Sequence, residues 1–221
     1  MKRKRIVLTA VGLVIMALVA GGFLSCQNEN ANQRLEGTWV EVDGGYWSSM
    51  SISGNDVVVE FGDGTTGRGN IELTNSGKIL NLPDREANGG GIEPFSFILS
   101  GDLLLITWAE EDPMYDSYKR EGSFQNPESQ QKIRKGTWTN VATASGDGMF
   151  ASISINNGRI SLEFENGNKW NGTYSDSGSV LRIFDTNGEE ADQFWYLSSG
   201  DILLLNNDDE YEYYEAYVHQ R

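Results

Sequence analysis

Val57-Val58-Val59-Glu60-Phe61 and Ile160-Ser161-Leu162-Glu163-Phe164 are the two stretches that decide how this chain folds. In the first, Val57, Val59 and Phe61 fall on one side and Glu60 on the other. In the second, Ile160, Leu162 and Phe164 oppose Ser161 and Glu163. Side chains of an extended strand alternate between faces. An apolar period of two therefore marks an antiparallel strand with one face in a core and the other in water. Glu60 and Glu163 belong to the wet face, and their recurrence reads as solvated charge, not as a catalytic or metal-binding pair.

Outward from these strands the chain repeats itself. Gly37-Thr38-Trp39 returns as Gly136-Thr137-Trp138, Ser51-Ile52-Ser53 as Ser152-Ile153-Ser154, and Ser100-Gly101-Asp102 before a leucine run as Ser199-Gly200-Asp201 before another. The offsets are 99, 101, 103 and 99 along the chain, so a few loop residues drift and the register recovers. A period this long exceeds that of solenoid units, and each copy is expected to carry its own core. Turn signals such as Gly54-Asn55, Gly62-Asp63-Gly64, Asn156-Asn157-Gly158, Asn166-Gly167-Asn168 and Asn187-Gly188 accept positive φ in tight hairpins. They cut the first copy into strands Gly37–Val42, Trp47–Ser53, Asp56–Phe61, Thr66–Leu73, Lys78–Leu82, Pro94–Leu99, Leu103–Trp108 and Met114–Arg120. The second divides into Thr137–Val141, Phe150–Ile155, Arg159–Glu165, Lys169–Tyr174, Val180–Phe184, Gln193–Leu197, Ile202–Leu205 and Tyr211–His219. About eight short antiparallel strands per copy leave exposed edges unless each sheet closes on itself. The expected fold is all-β, two tandem up-and-down barrels over residues 35–120 and 136–221 with a polar linker at 121–135.

Gly37-x-Trp39 and Gly136-x-Trp138, each opening a strand meander, resemble the Gly-x-Trp signature of lipocalins and of the smaller lipocalin-like domains of bacterial lipoproteins. The resemblance implies that Trp39 and Trp138 close the barrel floors beneath a basic residue from the end of the sheet. Arg120 stands at that place in the first copy and His219 in the second. It also implies binding of a small hydrophobic ligand in a barrel mouth. Both copies are much shorter than a standard lipocalin.

Residues 1–25 read as an export signal: Lys2-Arg3-Lys4-Arg5 is a basic head and Ile6 through Ala20 an apolar run too short to span a bilayer. Leu24-Ser25-Cys26 then resembles the bacterial lipobox. The resemblance implies cleavage before Cys26, a diacylglycerol on its thiol with acyl chains such as palmitate, and a lipidated tether over residues 26–34. The expected location is the cell envelope, on the outer membrane in preference to the inner, with the domains in the periplasm or at the cell surface.

Removing the signal leaves 13 Lys and Arg against 32 Asp and Glu, a formal charge of −19. Such a surface repels phosphate backbones and anionic headgroups over a Debye length of roughly 8–10 Å. Nucleic acid is thereby disfavoured as a partner, and membrane attachment falls to the lipid.

Comparing the copies separates scaffold from specialisation. Trp39 and Trp138 recur, whereas Trp47, Trp108, Trp170 and Trp195 have no tryptophan opposite them. These four are core residues or a ligand-binding set, lining a pocket or contacting a glycan. Leu103-Leu104-Leu105-Ile106 and Ile202-Leu203-Leu204-Leu205 are apolar on both faces and call for a cover, either the other barrel or an envelope protein.

Catalytic patterns are missing. There is no nucleophile elbow, Walker loop or His-Glu-x-x-His, and the single histidine is His219. Glu110-Glu111-Asp112 and Asp208-Asp209-Glu210 lack the glycine-punctuated spacing of a calcium loop and read as solvated turns. No catalytic residue, metal site or cofactor is expected, and the favoured class is a non-enzymatic binding protein, with a surface interaction protein second.

Overall fold

A computed structural model describes residues 35–42, 44–74, 77–84, 91–107, 115–126, 132–142, 149–207 and 214–220. The segments expected to be an export signal and tether, Trp108 and both acidic runs lie outside these residues. Among the described residues sixteen strands form two closed antiparallel barrels of eight. In the first, β1 (Gly37–Glu41), β2 (Trp47–Ser53), β3 (Asp56–Phe61), β4 (Thr66–Thr74), β5 (Gly77–Asp84), β6 (Gly91–Ser100), β7 (Leu103–Thr107) and β8 (Tyr115–Arg120) pair in order, and β8 returns to β1. The second repeats the plan with β9 (Gly136–Ala142), β10 (Ser152–Asn156), β11 (Arg159–Glu163), β12 (Lys169–Ser177), β13 (Val180–Phe184), β14 (Glu190–Ser199), β15 (Ile202–Asn206) and β16 (Glu215–His219), closed by β16 on β9.

The hairpins form where the turn residues demand them. After β3, Phe61 N–H donates to Thr65 O at 2.9 Å while Asp63 Oδ1 accepts from Thr65 N–H at 2.9 Å. After β11, Phe164 N–H donates to Asn168 O at 2.9 Å and Asn166 Oδ1 accepts from Asn168 N–H at 2.9 Å. Short polar side chains that bond their own backbone two residues on hold such turns closed.

Alternation then fills the interiors. Val57, Val59 and Phe61 of β3, with Ile160 and Leu162 of β11, point inward and are buried, whereas Glu60 is exposed. The first core gathers Trp39, Trp47, Met50, Leu80, Leu104 and Tyr118; the second is built on Trp138, Ile153, Leu162, Phe194, Leu203 and Tyr217.

A third core lies between the barrels. The outward residues Leu103 and Leu105 of β7 and Ile202 and Leu204 of β15 are fully buried, joined by Leu197, Ala216 and Val218. Each barrel covers the other's leucine strand. Burying a leucine or isoleucine stabilises by roughly 1.5–3 kcal/mol, so this shared layer is a large term in holding the pair together. Two reciprocal hydrogen bonds align it: Asp102 N–H donates to Ser199 Oγ at 2.9 Å, and Asp201 N–H to Ser100 Oγ at 2.7 Å. The duplicated Ser-Gly-Asp turns thus meet about a local pseudo-two-fold axis, each patch contacting its own copy as in an isologous dimer interface. A Cβ on Gly101 would collide with Ser199 Oγ, and one on Gly200 with Ser100 Oγ. Only glycine allows the turns to approach so closely.

Candidate functional site

An even number of alternating strands brings the chain in and out of each barrel at the same end, and at that end lie Trp39 and Trp138. Trp39 Nε1–H donates to Leu35 O at 2.8 Å, so the residue just before the barrel folds beneath it as a plug. Trp138 Nε1–H donates to Arg134 O at 3.0 Å in the same way. Register sets Trp39 opposite Arg120 and Trp138 opposite His219.

The two floors solve one packing problem differently. The Arg120 guanidinium carbon lies 4.4 Å from the centroid of the Trp39 ring, a cation–π contact. Its Nε donates to Asp102 Oδ1 at 3.0 Å and its Nη1 to Glu36 O at 2.5 Å. In the second floor His219 meets Trp138 edge-on, with centroids 4.9 Å apart and planes at 79°. His219 Nε2 is 2.9 Å from Lys135 O; a carbonyl only accepts, so this nitrogen carries the proton. Nδ1 is buried and has no hydrogen-bond partner among the described residues. Arg134 pairs with Asp201, the counterpart of Asp102, so an arginine remains in the second floor but comes from the other end of the sheet. Gly37 and Gly136 sit at φ of 122° and 134°, and a Cβ on either would run into the Arg120 or His219 side chain. That is the physical content of the glycine in Gly-x-Trp here.

The opposite ends, the mouths, differ more. In the first barrel Tyr46 packs edge-on to Trp47 at 5.1 Å and to Phe61 at 5.8 Å, and Trp47 edge-on to Phe95 at 5.1 Å. Trp47 is fully buried and its Nε1–H donates to Pro83 O at 3.2 Å. Tyr46 donates its phenol to Asp84 Oδ1 at 2.9 Å and its backbone N–H to Asp116 Oδ2 at 3.1 Å. Tyr46 thereby ties the two carboxylates together, Asp84 through its phenol and Asp116 through its backbone N–H. In the second barrel Met149 N–H donates to Glu215 Oε1 at 2.6 Å and the Tyr217 phenol to Oε2 at 2.5 Å. Burial raises both the Asp116 and Glu215 carboxyls above the ordinary range, opposed by these hydrogen bonds. Tyr217 is pushed up by burial and by the Glu215 charge, and Tyr196 is pushed up to about 12 by burial and then by Asp176.

Around the second mouth Phe150 stacks edge-on against Phe164 at 5.4 Å and Phe194 at 5.7 Å. Phe164 is 36% exposed. Trp170 projects from the inner face of β12 here yet stays only partly buried; Tyr174, also inward and partly buried, lies nearer the floor, where its N–H donates to Gly158 O at 3.2 Å. The Trp170 ring lies against Gly172, where a Cβ would strike it.

Of the four unmatched tryptophans, Trp47 is therefore core and Trp170 lies at a mouth. Trp195 is partly buried on the outer face of β14, two residues from Leu197 of the inter-barrel layer, and Trp108 lies outside the described residues. Among the described residues, the structure does not bring Trp47, Trp170 and Trp195 together.

Sequence reading passed over the inward carboxylates. Asp116, Tyr118 and Arg120 alternate along β8 as Glu215, Tyr217 and His219 do along β16, all three pairs at an offset of 99. That pattern places them on one face and could have revealed them. Among the described residues no group of three or more His, Cys, Asp or Glu side chains could hold a metal ion.

No family model matches the chain, and comparison with curated proteins and with solved structures finds no similar protein.

Proposed function

We propose that the protein is a lipid-anchored, non-catalytic binding protein of the bacterial cell envelope, with two lipocalin-like barrels held to the membrane through a diacylglycerol on Cys26. Its ligand is a small hydrophobic molecule, taken at the mouth of the second barrel. The observation that supports this reading is the contrast between the mouths. Fully buried Trp47 closes the first, whereas Phe164 and Trp170 leave apolar surface open at the second. Apolar aromatic surface left open beside a few polar groups is the usual chemistry of such a site, and here carboxylates such as Glu165 and Glu190 border it. Trp138, Ile153, Leu203 and Tyr217 fill the barrel below, so the site is a shallow one at the rim.

Titration of the full chain with a fluorescent fatty acid tests this. Saturable binding that Trp170→Ala weakens at least tenfold, with the melting transition retained, is the expected result. No saturable binding, or binding indifferent to Trp170→Ala and Phe164→Ala, sinks it.

A second reading is an interaction surface for a glycan or an envelope protein, supported by half-buried Trp195 on an outer face and by Ile92, 52% exposed. Loss of partner binding in Trp195→Ala, without any fatty-acid binding by the wild type, would favour it.

A further inference from the structure

We propose that the protein stands on its membrane with both barrel floors toward the bilayer and both mouths away from it, so that whatever binds at a mouth arrives from the aqueous side. This orientation rests on the Cys26 anchor proposed above.

The first support is topological. Leu35 lies under Trp39 at the floor of the first barrel, and Cys26 precedes it by only the eight residues Gln27 to Arg34. Fully extended at about 3.5 Å per residue these reach about 28 Å. The wall is itself about 20 Å or more tall, since its strands rise about 3.3 Å per residue. A tether leaving the floor would have to spend most of its reach running the length of the wall before the mouth could turn to the bilayer, so the floor-down arrangement is the one that leaves the tether relaxed.

Packing carries the orientation to the second barrel. The Ser-Gly-Asp turns that exchange hydrogen bonds both sit at floor ends, because β7 and β15 start from the turns whose Asp102 and Asp201 meet Arg120 and Arg134. Leu103, Leu105, Ile202 and Leu204 are also covered along the lengths of these strands. Barrels that touch at their floor turns and along their walls lie side by side, with floors level.

Charge agrees. Among the described residues, Lys119, Arg120, Lys132, Arg134, Lys135 and Arg159 gather at the floor ends with Glu36, Asp56, Asp102, Glu121, Asp176 and Asp201, and Asp102, Asp176 and Asp201 pair with three of the cations. The mouth ends carry Asp63, Glu165, Asp185, Glu189, Glu190 and Asp192. The floor is nearly balanced and the mouth strongly acidic. Repulsion from an anionic surface decays over roughly 8–10 Å, so it is least when the mouths are the distant end.

The test uses the lipidated full chain in vesicles of phosphatidylethanolamine and phosphatidylglycerol containing a headgroup-nitroxide phospholipid. Single cysteines carrying a fluorophore are placed at exposed floor positions, Asn55→Cys and Ser177→Cys, and at exposed mouth positions, Thr66→Cys and Thr186→Cys; the acylated Cys26 does not react. Floor labels should be quenched several-fold more than mouth labels in both barrels. Equal quenching at the two ends, or stronger quenching at the mouths, overturns the orientation. Flotation of the same vesicles keeps the two readings apart. A chain that does not float overturns the anchor and the orientation together, whereas one that floats with quenched mouths overturns the orientation alone.

Discussion

The two floors share a tryptophan and a glycine but not a cation. In the first, Arg120 covers the Trp39 face, bonds Glu36 O and pairs with Asp102. In the second these jobs are divided: His219 packs on Trp138 and bonds Lys135 O, while Arg134 takes the aspartate. Leu35 and Arg134 are counterparts, as are Arg120 and His219, so the arginine has changed strand ends while its aspartate stayed in place. The lesson is that the fold requires the aromatic plug and its glycine, and that a floor cation can come from either side of it.

The sharpest way to break this comparison is to remove the shared element. Trp39→Ala and Trp138→Ala should each cost roughly 3–5 kcal/mol, the usual cost of emptying a large buried aromatic site. Calorimetry on both variants checks it, and a stability-neutral result at either position would end the claim that the floors are equivalent. Prising the barrels apart comes next. Gly101→Ala with Gly200→Ala places a methyl group against each opposing serine at φ near 60°. The variant is expected to lose roughly 2–4 kcal/mol from strain and lost apolar cover and to expose the leucine strands to a hydrophobic dye. Unchanged melting and dye binding would mean that the turn contact is incidental.

Smaller effects sharpen the contrast between the cations. Arg120→Met should cost about 1–2 kcal/mol, because a partly desolvated cation–π contact and a bond to a carbonyl are lost together. Arg134→Leu should cost about 1 kcal/mol: Arg134 is 54% exposed and its side of the ion pair is screened, although Asp201, 15% exposed, loses its cation. Combining Arg134→Leu with His219→Arg rebuilds the first floor's arrangement in the second barrel, and its melting temperature should exceed that of Arg134→Leu alone. Failure of the double variant to recover would show that surroundings beyond the floor dictate which cation fits.

The smallest effect concerns the buried mouth carboxyls. Their raised folded-state pKa means that the folded protein prefers them protonated, so their contribution to stability is most favourable at low pH and falls as pH rises through the raised value. Asp116→Asn keeps an acceptor where Tyr46 N–H and the Tyr118 phenol both reach Oδ2. It should raise the melting temperature by a few degrees at most at pH 7, with the gain shrinking as pH falls. Glu215→Gln gains less, because Met149 and Tyr217 use different oxygens and an amide offers only one acceptor. A larger gain for Glu215→Gln than for Asp116→Asn would contradict the geometry.

The strand pattern, the duplication and the site of each turn were determined by the sequence alone. Inward residues alternate with outward ones over five to ten positions, and positive-φ residues mark the hairpins; both signals are local. Trp39 and Trp138 could be singled out because the two copies act as each other's reference. What only the tertiary structure decided depends on distance across a closed sheet. Trp47 and Trp170 both lie near mouths, but one is buried under Tyr46 and the other left partly open, and nothing in their neighbouring residues distinguishes them. The exchange of Arg120 for Arg134 is likewise invisible until closure brings each end of the sheet to the same aspartate position. The leucine strands announced that something must cover them, but not that each covers the other through reciprocal serine contacts. Local alternation sets which face a side chain takes; barrel closure and barrel packing set what it meets there.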